Sequence, residues 1–133
     1  MKSILLALAL ISSGVFAADD PDHNPCDAVE NDQQTLACSV FSRQSAEQLL
    51  AENFEALQAR ITLLYGSNPT LLNNITSKVK TAQALWLHQR EADCAIVVFP
   101  AKAGTEAFNI AQNDCIAAVS DDRSEFLESI GQE

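Results

Sequence analysis

The chain has 133 residues, with 18 acidic against 8 basic side chains and a formal net charge of −10. That excess of carboxylates speaks against binding nucleic acid or docking on an anionic membrane, since both need Lys and Arg against phosphate. Apolar residues make up 47% of the chain, which at this length suits one domain with a modest core.

Met1-Lys2 is a short positive start, Ile4 to Ile11 an apolar run, and Val15-Phe16-Ala17 has the small-x-small character of a cleavage site. Residues 1–17 therefore read as a signal peptide, cut after Ala17 with Ala18 as the close alternative. The run is too short for a permanent membrane helix, and no cysteine follows the cut to carry a lipid. Removing it leaves 7 basic residues against 18 acidic ones, a net charge of −11. The expected location is periplasmic or secreted. Such a charge suits a basic protein partner through steering, and it also serves solubility alone.

Residues 18–34 form an acidic leader and N-terminal segment, with two prolines and a solvated His23. The four cysteines are Cys26, Cys38, Cys94 and Cys115. An even count in an exported chain of this size reads as two disulfides rather than a metal site, and no Cys-x-x-Cys pair occurs. Of the three possible pairings, Cys26–Cys38 with Cys94–Cys115 is favoured as the closest in sequence.

Residues 35–133 read as one helical domain. From Thr35 to about Tyr65, Leu50, Phe54, Leu57, Ile61 and Leu64 recur at intervals of four and three, an apolar stripe that leaves Glu47, Glu52 and Glu55 on a solvated face. Gly66-Ser67-Asn68-Pro69 ends that helix, Gly66 in the left-handed end position and Pro69 in the first turn of the next. A second helix runs to about Val97, with Ile75, Val79, Ala82 and Trp86 in rhythm and Leu72 and Leu85 widening the stripe. Ala95-Ile96-Val97-Val98-Phe99 reads as its buried end, stopped by Pro100. After the loop to Gly104, a third helix runs from near Thr105 to about Ile130. In it Ser120-Asp121-Asp122 caps a fresh turn or marks a kink. The fold class is all-α: a small disulfide-stapled bundle of about three helices with a long antiparallel pair.

The most informative stretch is Ala82 to Cys94. Trp86, Arg90 and Cys94 lie four residues apart, and Gln83 stands one turn before the tryptophan, so all four share one stripe. His88 turns roughly 200° away from Trp86, toward solvent. The leading reading is a stapled core, with Trp86 buried, Arg90 stacked on it or paired with a carboxylate, and Cys94 in a disulfide. The sharper reading is that Gln83, Trp86 and Arg90 support a binding surface.

No catalytic system stands out. His88 has no signature linking it to a serine or cysteine, no glycine-rich phosphate cradle occurs, and Asp121-Asp122 with Glu125 lacks the ligand spacing of a calcium loop. No metal, cofactor or enzymatic activity is expected. Asn74-Ile75-Thr76 matches a glycosylation acceptor, but inside a helix the match reads as chance.

Three blocks resemble the lysozyme inhibitor LprI-like family of exported bacterial domains. They are Thr35-Leu36-Ala37-Cys38 with Ala46, Leu49 and Phe54 beyond it, the Ala82 to Cys94 stretch, and Cys115 with Arg123 and Leu127. The middle block, with its alanine-glutamine, tryptophan, arginine and cysteine, is the specific one. Phe54 departs from a common tyrosine and Glu91 from a typical aspartate. The resemblance implies a disulfide-bearing helical domain that binds and inhibits lysozyme. The expected function is thus a non-enzymatic binder of lysozyme or another basic cell-wall hydrolase, meeting it through residues 100–104 or 66–68. An immunity-type or envelope protein neutralising another toxin or hydrolase is the alternative. A small hydrolase or ligand-binding domain, with a pocket lined by Trp86, Arg90 and a carboxylate, is the second.

Overall fold

The structure is a computed structural model and describes residues 24–132. The expected signal peptide and residues 18–23 of the acidic leader lie outside the described residues. Three helices follow one another: α1 (Asp32–Tyr65), α2 (Pro69–Val97) and α3 (Glu106–Ser129). Among the described residues there is no strand, and no helix is long and apolar enough to cross a membrane.

Each helix starts on a polar cap. The Asn31 side chain accepts from the Gln34 backbone N–H at 3.0 Å, while Gln34 Oε1 reaches back to the Glu30 N–H at 2.8 Å. This reciprocal cap starts α1 three residues before the expected Thr35. Asn68 accepts from the Leu71 N–H at 3.1 Å, with Pro69 in the first turn, and Thr105 from the Phe108 N–H at 3.3 Å. Gly66 corrects an expectation, because it ends α1 in the right-handed region with φ −59°. It is suited to glycine by a close approach: a Cβ there would lie 2.5 Å from the Thr62 carbonyl oxygen. The left-handed glycines are Gly104, φ +83°, in the loop before α3, and Gly131, φ +73°, just beyond it.

The chain runs up, down and up. Contacts between α1 and α2, and between α2 and α3, pair residues in opposite order, whereas α1 and α3 lie parallel and make the closest approach. Small side chains permit it. Asn113 Nδ2 donates to Ser39 Oγ at 3.2 Å and Asn53 Nδ2 to Ser124 Oγ at 2.7 Å, with Ala46 and Ala117 buried on the same two helices. At the far end of this seam Arg60 donates to the Leu127 carbonyl at 2.7 Å and the Ile130 carbonyl at 3.2 Å, satisfying acceptors that a helix end leaves open.

The main core is in the half nearest the α1–α2 turn, where Leu50, Leu57, Ile61 and Leu127 are buried and Phe54, Leu72, Ile75, Val79, Trp86 and Ile130 pack against them. The other half is held by two disulfides, Cys26–Cys38 and Cys94–Cys115, the favoured pairing. Several apolar positions lie elsewhere than expected. Leu64 and Leu85 are exposed, and of the run Ala95 to Phe99 only Val98 is buried. Ser120 neither caps nor kinks α3 but is fully buried within a continuous helix.

Candidate functional site

The α2 stripe does gather its residues. Arg90 is buried and lies 5.5 Å from the centre of the Trp86 ring, with the ring itself half-buried. Its guanidinium meets all three helices. Nη1 contacts Glu47 Oε1 of α1 at 3.0 Å and donates to Ser120 Oγ of α3 at 3.2 Å, while Nη2 and Nε reach Glu91 Oε1 of α2 at 2.7 and 3.2 Å. A planar fork with five donors can hold three directions at once, which an ammonium on a flexible stem cannot do with the same geometry. One turn further on, Cys94 is bonded to Cys115 of α3.

A second arginine completes the cluster. Arg123 of α3 lies 5.5 Å from the Trp86 ring centre and 5.0 Å from that of Phe126, and its Nε donates to Gln83 Oε1 at 3.0 Å. Burial pulls the Arg123 guanidinium below its ordinary value, since the charged form loses water there. Gln83, Trp86 and Arg90 therefore form one unit with Arg123, Glu47 and Ser120. The apolar rhythm of α1 predicts Glu47 on a solvated face; it instead pairs with both Arg90 and Arg43. A helical period places Glu47 off the apolar stripe but does not show which neighbouring helix covers that side.

Beside this unit runs an open groove of about 300 Å³ lined by Trp86, Gln89, Arg90, Asp93, Asp122 and Arg123. It has the aromatic, cation and carboxylate lining that a ligand-binding domain would show. Its buried arginine, however, turns its donors to Glu47, Glu91 and Ser120 within the chain. Among the described residues no group of three or more His, Cys, Asp and Glu side chains is placed to hold a metal ion. His88 is exposed on the far side of α2.

The other exposed feature of note is the apex joining α2 to α3. Ile96, Val97 and Phe99 point to solvent there, directly after the Cys94–Cys115 crosslink. The turn is closed by backbone bonds from the Val98 N–H to the Cys94 carbonyl, from Phe99 to Ile96 and from Ala101 to Val98, at 3.1, 3.2 and 2.8 Å.

The family model described as lysozyme inhibitor LprI matches residues 26–127. Among solved structures, a DUF1311-family protein from Pseudomonas putida is similar at 36% identity and a TM-score of 0.71, covering 80% of this chain and 99% of its own. No curated protein matches. With the stapled three-helix bundle and the tryptophan–arginine unit in place, the chain belongs to the LprI family, a family of lysozyme inhibitors and not of enzymes.

Proposed function

We propose that this protein is exported and inhibits a basic cell-wall hydrolase, with lysozyme as the target. The family match over residues 26–127 carries this reading. Two disulfides support export, because such bonds persist in oxidising compartments, and the positive-then-apolar start of residues 1–17 supports a secretory signal. The net charge of −10 over the whole chain supports attraction to a cationic enzyme. Within this reading Gln83, Trp86 and Arg90 are scaffold. They hold three helices in register so that the ends of the bundle keep their shape.

The test is inhibition of a panel of lysozymes by the oxidised protein, at low and at moderate salt. Inhibition that weakens as salt rises is the expected result. Full lysozyme activity in the presence of a large excess of the protein would remove the reading. Inhibition confined to another hydrolase or toxin would favour the immunity-type alternative.

A further inference from the structure

We infer that the α2–α3 apex, through Ile96, Val97 and Phe99, is the surface that docks on the hydrolase and blocks its cleft; this rests on the inhibitor reading above. Ile96 is 74% exposed, Val97 62% and Phe99 82%, three large apolar side chains within four residues. At roughly 100° per residue, the three occupy one arc and Val98, the position they omit, faces the opposite way. Val98 is 6% exposed, so the backbone is anchored inward while the arc is presented outward. A contiguous exposed apolar patch on a small acidic protein marks a contact surface more often than a chance of composition.

The patch is also stiff. Cys94 is buried and covalently tied to Cys115, and the turn to Ala101 carries its own backbone hydrogen bonds. A group already held in place loses little freedom on binding, and a rigid aromatic is the residue type that most often anchors an interface. A hydrolase of a polymer must present an open cleft, and a convex apolar apex is the shape that fills one.

Charge selects this end over the other. Because α1 and α3 both start at this end of the bundle, it carries Asp27, Glu30, Asp32 and Glu106, with Asp93 on the last turns of α2. Of the cations in this half, Arg43 and Arg90 are paired with Glu47 and Glu91, leaving Lys102 as the one without an ion pair among the described residues. The opposite half also exposes leucines, Leu63 and Leu64, but there Arg60, Lys78, Lys80 and Arg123 offset most of the carboxylates. A cationic enzyme is therefore attracted more strongly to the first end than to the second.

The experiment compares the wild-type protein with Phe99→Ser, with the triple variant Ile96→Ser, Val97→Ser, Phe99→Ser, and with Leu63→Ser at the other end, by inhibition constant and by calorimetric Kd. The triple variant is expected to weaken inhibition about 30-fold or more, the scale of an interface anchor, and Leu63→Ser by less than about twofold. Circular dichroism and the melting transition should be unchanged, since none of these side chains is buried. Should the triple variant unfold, Phe99→Ser alone decides, through a loss of about tenfold or more. Wild-type-like inhibition by a folded apex variant, or a loss caused by Leu63→Ser, would overturn the inference and leave the inhibitor reading intact. Absence of inhibition by the wild type would remove both, and is read before any variant is made.

Discussion

At Arg90 one guanidinium replaces what a larger core would do with several apolar side chains. Its partners Glu47 and Glu91 are each partly exposed, so their Coulomb contribution is screened; the geometric contribution comes from the fork reaching Ser120, which has no access to water. Arg90→Met keeps the aliphatic stem against Trp86 and removes the fork. The two carboxylates can rehydrate, but the Ser120 hydroxyl loses its donor, so the expected cost is about 1–3 kcal/mol in urea denaturation of the oxidised protein. A change below about 0.5 kcal/mol would show that the pin is ornamental to the fold. Trp86, Arg90 and Cys94 were legible as a unit because helical spacing alone puts them on one stripe. Glu47, Ser120 and the stacking of Arg123 were not, because they come from other helices. Spacing along one helix carries no information about what lies across an interface.

The helices themselves follow from apolar rhythm and caps, and α2 has the boundaries its pattern indicates. The closest packing does not follow from that rhythm. It lies between α1 and α3, along Ser39, Ala46, Asn53, Asn113, Ala117 and Ser124, and small polar residues look like surface to any hydrophobicity pattern. The same blindness, reversed, makes Leu64, Leu85, Ile96, Val97 and Phe99 look buried. A parallel seam of small residues brings α1 and α3 together and leaves α2 with only one narrow face covered, so apolar side chains flanking that face stay in water. The disulfides compensate in the half that lacks the leucine cluster. The Cys94–Cys115 bridge closes 21 residues of chain, so replacing both cysteines by alanine should cost about 3 kcal/mol by releasing the unfolded state. Because the bridge also anchors the apex, inhibition by that variant should fall further than its remaining folded fraction accounts for. A fall that tracks the folded fraction alone would separate stability from apex geometry.

Across the whole molecule the two proposed determinants of binding act on different rate constants. Carboxylates spread over the surface act at a distance and orient the encounter, while Ile96, Val97 and Phe99 act only after contact. Raising ionic strength from about 0.01 M to about 0.15 M shortens the screening length from about 30 Å to about 8 Å, less than the span of the bundle. The association rate with a cationic lysozyme should then fall about tenfold or more, and the dissociation rate should move by less than about twofold, as surface plasmon resonance can resolve. Substitution of the apex should do the reverse, speeding dissociation and leaving association nearly unchanged. The two perturbations should combine independently, because removing a distant field does not alter the packing of three side chains in a cleft. An association rate indifferent to salt would mean that the acidity of this chain serves solubility and that the partner is found without steering. Salt-driven dissociation would mean instead that ion pairs, not the apolar apex, hold the complex together.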